Sequence, residues 1–280
     1  METAKIAENE RFILQSAVKC GILINIEFID LYGETTAMRM RKKKHGDERR
    51  SALAHMLITA DTLKPGTARA LFADPARPLM LEIGCGKGDF VIGMAKKHPE
   101  WNFLAMERVP DVILCAMEKC HEAFGGETPD NVMFCIANAN ALTDFFAPGE
   151  IDGIYLNFSD PWPKSGHEKR RLTYGSFLAQ YRTVMDAGCT VTFKTDNRGL
   201  FDYSLLSFEA NGWRMEDVTY DLHNSAWNDD NVVTEYERNF SEKGFSINRV
   251  VAFAPTENPV ELPKIVMPDA AASEDEDDAN

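Results

Sequence analysis

The chain has no close cysteine pair, no long apolar run and no internal repeat, and each absence removes a class of protein. The six cysteines, Cys20, Cys85, Cys115, Cys120, Cys135 and Cys189, include no pair with the spacing of a zinc knuckle or a dithiol redox site. Cys115, Cys120 and His121 come nearest to a metal cluster. On a helix, however, Cys115 and Cys120 point about 140° apart, so ordinary helix residues and no metal are expected. The apolar stretch 21–32 is broken by Asn25, Glu27 and Asp30, far short of the ~20 residues of a membrane span. The start, Met-Glu-Thr, lacks the positive opening of a secretory signal. A reduced, soluble, cytoplasmic protein without a membrane partner is the expectation.

Basic residues are also in deficit. Thirty Lys and Arg face 44 Asp and Glu, a formal charge of −14, which at face value disfavours a polyanionic partner. The deficit is uneven. Residues 1–37 carry a net −3 and no nameable motif, and 269–280 carry −6 without a single basic residue. Prolines 255, 259, 263 and 268 lead into that end, so 257–280 is expected to be a solvated acidic tail. The remaining body holds two basic islands, 39–50 and 164–171. At 280 residues and 44% hydrophobic content, the chain accommodates one large domain, placed at 38–256, behind an extension at 1–37.

Within that body, short apolar runs alternate with helical stretches, the pattern of an α/β layer fold. Strands are expected at 79–83, 102–106, 132–136, 153–157, 189–195, 215–221 and 247–253, with helices near 89–97, 111–124, 173–185 and 199–211. Seven strands interleaved this way suit an open, mostly parallel sheet with helices on both faces.

The first strand runs straight into Gly84-Cys85-Gly86-Lys87-Gly88. A strand, a tight glycine turn and a helix start form a ligand cradle, since backbone N–H groups point outward there and glycine lets a ligand approach. Dinucleotide sites use G-x-G-x-x-G. Here the third glycine comes one residue early, and Glu82 stands before the turn. A carboxylate repels a pyrophosphate but suits the ammonium or sulfonium of S-adenosylmethionine. Glu107 ends the second strand 19 residues after Gly88, where an acidic side chain can accept from both ribose hydroxyls. Asn138, just past the third strand, is positioned for an adenine edge. Three such positions at consecutive strand ends outline a Rossmann-like nucleoside crevice.

The fourth strand leads into Asp160-Pro161-Trp162-Pro163-Lys164 and on to Ser165-Gly166-His167-Glu168-Lys169-Arg170-Arg171. An aspartate on a proline-stiffened loop at a strand end lies beside the reacting group by the same logic. Trp162 suits a core anchor and a stacking surface equally. The excess of +3 from Lys164 to Arg171 beside a methyl-donor crevice reads as an RNA clamp.

The run 157–171 resembles the bacterial tRNA (guanine-N7-)-methyltransferase family. So do Phe193-Lys194-Thr195-Asp196-Asn197, Thr234-Glu235-Tyr236-Glu237 and the opening Met38-Arg39-Met40-Arg41-Lys42-Lys43. The likeness spans about 38–253, and the D-P-W-P-K loop is its most specific element. It implies a Rossmann-like class I methyltransferase fold and methyl transfer from S-adenosylmethionine to N7 of a guanine in the variable loop of tRNA. It implies donor contacts at Glu82, Glu107, Asn138 and Asp160, beside the glycines Gly84, Gly86 and Gly88. Substrate contacts fall on Lys164, Asp196, Thr234, Glu235, Tyr236 and Glu237, and RNA contacts on Gly166, His167, Glu168, Lys169, Arg170 and Arg171. Asp160 is the expected catalytic residue, tRNA the partner, and the assembly a monomer or homodimer. One position departs from the family: its third donor residue is commonly aspartate and here is Asn138, whose carbonyl can still accept from an adenine amino group.

Three rivals are weighed against this reading. Exocyclic-amine methyltransferases favour two adjacent prolines, whereas Trp162 separates Pro161 from Pro163. A dehydrogenase fails on glycine spacing. A non-catalytic RNA-binding relative has no need to hold Glu82, Gly84, Gly86, Glu107 and Asp160 together.

Overall fold

Apolar runs bounded by turn residues pair into one twisted sheet, and the helical stretches cover both of its faces. The computed structural model describes residues 28–29, 35–36, 44–257 and 265. The chain groups into two units, 1–46 and 47–280. In the first, Phe28–Ile29 pairs antiparallel with Thr35–Thr36. The rest of the expected extension, the opening 38–43 and the acidic tail beyond Glu257, Ile265 apart, lie outside the described residues.

In the second unit the strands are β1 (Leu57–Thr59), β2 (Leu79–Ile83), β3 (Asn102–Glu107), β4 (Val132–Ile136), β5 (Ile151–Asn157), β6 (Met185–Thr195), β7 (Arg214–Thr219) and β8 (Asn248–Phe253). They lie in the order β1-β4-β3-β2-β5-β6-β8-β7. The first six are parallel, and β8 runs antiparallel to both β6 and β7. Among the described residues, the expected seven strands of this sheet are therefore eight. The extra one, β1, sits at the sheet edge with only Leu57, Ile58 and Thr59 paired to β4, too short for an alternation to show in sequence. β7 also ends two residues earlier than expected, at Thr219, and within it Asp217 takes φ 52° where the pairing with β8 shifts register.

The helices are α1 (Gly46–Ala52), α2 (Asp89–Lys97), α3 (Pro110–Ala123), α4 (Gly175–Val184), α5 (Arg198–Ala210) and α6 (Glu235–Ser241). Pro110 opens α3 where a missing N–H is harmless. Asn197 caps α5 by accepting from the Leu200 N–H at 2.8 Å. One buried cluster joins Phe90, Val91 and Met94 of α2 and Ile113 and Met117 of α3 to Phe103 and Phe134 of the sheet. The other joins Phe177 and Tyr181 of α4 and Phe201 and Phe208 of α5 to Leu81, Leu156 and Phe193. Each such side chain stabilises the fold by roughly 1.5–3 kcal/mol, and together they hold the carboxyl ends of the strands in register. The strand order reverses between β2 and β5, which opens a crevice at their carboxyl ends. Among the described residues, no helix is long and apolar enough to cross a membrane.

Candidate active site

The turn after β2 is set by glycine. Gly84, Gly86 and Gly88 take φ of 77°, 54° and 81°, values that side chains with a Cβ adopt only under strain. The Gly84 and Cys85 N–H groups donate to the Met106 carbonyl at 2.8 and 3.1 Å, joining the turn to β3. A Cβ at Gly84 or Gly86 meets open space, whereas one at Gly88 stands 2.9 Å from the Ala116 Cβ. The first two glycines thus leave a cradle, and the third seats α2 against α3.

Glu82 lies beneath that cradle, 4% exposed. Its Oε1 accepts from Asn157 Nδ2 at 3.0 Å, while its Oε2 is buried without a hydrogen-bond partner. Burial pushes this carboxyl up to about 7, against the opposing pull of the Asn157 bond and the Lys194 charge. A buried acceptor left open costs about 1–3 kcal/mol and suits a cationic ligand group. Glu107 ends β3 with Oε1 accepting from the N–H groups of Arg108 and Val109 at 2.8 and 3.0 Å. Burial raises it as well. Asn138 is exposed and turns its Oδ1 to the Asn140 N–H at 3.1 Å, capping a short 3-10 segment over 139–144.

The loop after β5 is stiff. Phe158 and Trp162 hold φ of 53° and 43°, each a strained conformation of order 1–3 kcal/mol. Arg171 offsets that strain from the far end of the loop. Its Nε and Nη2 donate to the Pro161 and Trp162 carbonyls at 3.0–3.3 Å, and its guanidinium lies 4.2 Å from the Tyr203 ring centroid. Asp160 stands at the mouth, with Arg108 Nη2 4.0 Å from its Oδ2. Trp162 meets the Arg170 guanidinium at 4.7 Å and the His167 ring edge-on at 5.7 Å, so its indole anchors this basic loop. Glu168 accepts from the Tyr203 hydroxyl at 3.4 Å. Lys164, Gly166, Lys169 and Arg170 are exposed. The expected RNA stretch therefore divides: Arg171 and Glu168 face the body, His167 packs half-buried on Trp162, and Gly166, Lys169 and Arg170 are exposed. A cavity of about 250 Å³ lies between Pro161 and Pro163 on one side and Asn197, Gly199 and Leu200 on the other.

The third component comes from β6 and α6. Asp196 follows β6 and receives the Tyr236 hydroxyl at 3.4 and 3.5 Å. Burial raises the Asp196 carboxyl. Burial, and then the charges of Asp196 and Asp160, raise the Tyr236 phenol and keep it protonated. The Tyr236 ring stacks on Phe240 at 4.3 Å and leans on Phe158 at 4.8 Å. Thr234 caps α6 by accepting from the Glu237 N–H at 3.0 Å.

Two expected substrate residues are engaged elsewhere. Glu235 Oε2 lies 3.5 Å from Lys87 and 3.7 Å from Lys119. Glu237, 0% exposed, bonds Lys194 at 2.9 Å, His223 at 2.8 Å and Asn231 at 2.6 Å. Burial would raise its carboxyl, but Lys194 and these hydrogen bonds outweigh that and hold it below its ordinary value. Lys194 is itself lowered by burial, with Glu237 opposing. Sequence reasoning gives Lys194 no role, although a lysine closing an apolar strand is a visible signal. His223 and Asn231 carry none. Among the described residues, no group of three or more His, Cys, Asp or Glu is placed to share a metal ion.

The methyltransferase family model Methyltransf_4 matches residues 76–250. The tRNA (guanine-N(7)-)-methyltransferase of Oceanobacillus iheyensis is 46% identical over 215 residues, 77% of this chain and 98% of that protein. Its namesake from Lactiplantibacillus plantarum is 45% identical over 218 residues, 78% and 99% of the two chains. Among solved structures, the 16S rRNA methyltransferase KamB aligns with a TM-score of 0.49 and 13% identity, covering 64% of this chain and 88% of its own.

Proposed function

The chain belongs to the tRNA (guanine-N(7)-)-methyltransferase family, whose members methylate N7 of a guanine in tRNA, and from that premise we propose how this one works. Its donor is S-adenosylmethionine, its target guanine lies in the variable loop, and its product is 7-methylguanosine. The observation that carries this reading is the Tyr236 hydroxyl on Asp196, with its ring on Phe158 two residues before Asp160, across from an open glycine turn whose Lys87 reaches Glu235 and whose buried Glu82 has an unpartnered carboxylate oxygen.

The residues fit the donor. Gly84 and Gly86 leave room for it, Glu82 Oε2 offers its ammonium an acceptor, Glu107 takes the ribose hydroxyls, and Asn138 the adenine edge. Gly88 keeps α2 seated under the cradle. When bound, S-adenosylmethionine supplies an electrophilic methyl group on a sulfonium. Guanine N7 carries a lone pair in the neutral base, so no side chain need remove a proton before transfer. What the protein must manage is charge and alignment. The guanine becomes cationic as the methyl arrives, and Asp160 at the mouth stabilises that growing charge. Alignment within about 3–3.5 Å supplies much of the rest. Calling Asp160 a proton-abstracting base would exceed this chemistry.

Asp196 holds the N–H edge of the guanine, with Tyr236 fixing its carboxylate. Thr234, Glu235 and Glu237 hold the segment that carries Tyr236. Lys164, Gly166, His167, Lys169 and Arg170 meet the RNA, while Glu168 and Arg171 support the loop from behind. The already activated methyl requires no metal. The enzyme works on tRNA in the cytoplasm, as a monomer or homodimer.

Methylation of unmodified tRNA with labelled donor, followed by mapping of the modified base, tests this reading. Label at N7 of a variable-loop guanine is expected. Label on an exocyclic amine, or donor binding without any transfer, overturns it.

A further inference from the structure

Phe193, the last apolar residue of β6, is followed by a lysine that is 2% exposed. Burying an ammonium costs several kcal/mol unless its donors are bonded, and here all three are. Lys194 Nζ donates to Asn231 Oδ1 at 2.8 Å, to Glu237 Oε2 at 2.9 Å and to the Val232 carbonyl at 3.2 Å. The rings of Phe90 and Phe158 close around it, with centroids 5.2 and 5.8 Å away. On the far side of the ion pair, Glu237 Oε1 takes His223 and Asn231 at 2.8 and 2.6 Å. Its carboxylate is fully engaged by the protein.

What this network joins is informative. Lys194 lies two residues before Asp196, and Glu237 follows directly on Tyr236. α6 itself has only seven residues, too short to persist without packing. Buried ion pairs give little net stability over apolar side chains of the same size. They do impose direction, because each bond has a preferred length and angle.

We propose that Lys194, Glu237, His223 and Asn231 are positioning residues, which pin α6 to the end of β6 so that Tyr236 and Asp196 keep the geometry that holds the guanine. This rests on the reading of Asp196 and Tyr236 as the guanine side of the site. A shift of about 1 Å at such a site costs about 10²-fold in rate.

The test uses two variants of the full chain, with tRNA methylation measured at saturating donor and amide hydrogen exchange followed across 234–240. Lys194→Met with Glu237→Met removes both charges, leaves no unpaired ion and keeps the volume filled. It is expected to fold, to exchange faster across 234–240, and to lose about 10²-fold in kcat/KM for tRNA. His223→Gln keeps an N–H donor for Glu237 Oε1 and leaves the Lys194–Glu237 pair intact, so it should stay within about tenfold of the parent. A double variant that methylates at the parent rate overturns the proposal. So does His223→Gln falling as far as the double variant, since the bond to Glu237 would then be kept and the rate lost all the same. Should the double variant not fold, Asn231→Ala, at a half-buried position, carries the test: unchanged exchange across 234–240 overturns the proposal. If the parent protein does not methylate tRNA, the functional reading fails instead, and the exchange measurement still judges the network.

Discussion

Glu82 and Glu237 are both buried carboxylates, and their surroundings drive them in opposite directions. Glu237 has a lysine, a histidine and an asparagine on its oxygens and stays ionised. Glu82 has one asparagine, one open oxygen and a carboxyl raised to about 7. The proposed role of Glu82, holding an ammonium, needs its ionised form. Donor affinity should therefore be level above pH 7 and weaken as pH falls through 7, approaching tenfold per unit. The effect on folding has the opposite sense: with the folded carboxyl raised above its ordinary 4.5, the stability Glu82 contributes is full below 4.5 and lost as pH rises through about 7. Titration calorimetry from pH 5.5 to 8.5 checks the binding prediction. Glu82→Gln should bind weakly at every pH, and a parent protein with level affinity across the range removes Glu82 from the donor site. For Asp160, replacement by Ala should lower methyl transfer by at least ~10²-fold, the scale of one lost preorganised charge partner. Near-normal turnover would take it out of the mechanism. Both residues could be picked out from sequence because each sits at the end of an apolar strand. Lys194 shares that position, but its meaning depends on Glu237, 43 residues away, and sequence spacing gives no sign of that pairing.

At the scale of elements, the glycine turn separates two roles that look identical in sequence. Gly84 and Gly88 both take positive φ, yet only Gly88 has a neighbour where its Cβ would go. Gly88→Ala should accordingly lower stability more than Gly84→Ala, by about 1–3 kcal/mol of overpacking between α2 and α3. Urea unfolding of the two variants reads this directly, and equal losses would deny Gly88 its packing role. The five longer parallel strands and the four longer helices were legible because their apolar residues recur over five or more positions. α6 was not, since seven residues with Thr234, Glu235 and Glu237 at the front show a cap and no stripe. β1 escaped for the same reason, three residues being too few to display a period. The basic loop was legible as a charge run, but not in its division between inward and outward side chains. That division depends on the Trp162 turn, which brings two carbonyls within reach of Arg171.

Across the whole molecule, that division yields a separation of effects. Lys169 and Arg170 are exposed, so replacing either with Ala should weaken tRNA binding and lower the slope of log affinity against log salt by about 0.7–0.9 for each phosphate no longer neutralised. Arg171→Ala should leave that slope alone and reduce turnover instead, because it frees the loop that carries Asp160. Binding measured across low to moderate salt distinguishes them, and an equal slope change for Arg170 and Arg171 would erase the distinction. The total charge of −14 is a poor guide to such a partner. Glu82, Glu107, Asp160 and Asp196 are assigned to the cationic donor and the guanine, and Glu237 is neutralised by Lys194. What decides is where charge lies on the surface, and sequence order shows that only for contiguous runs.

The sheet order has a further consequence in time. The strands and turns assigned to the donor, from β2 through Asn138, are finished before Asp160 is reached, and Asp196 and Tyr236 come later still. The two halves of the crevice therefore leave the ribosome one after the other. A chain still being synthesised has Glu82, the glycine turn, Glu107 and Asn138 in place while the residues that would grip an RNA base are yet to be added.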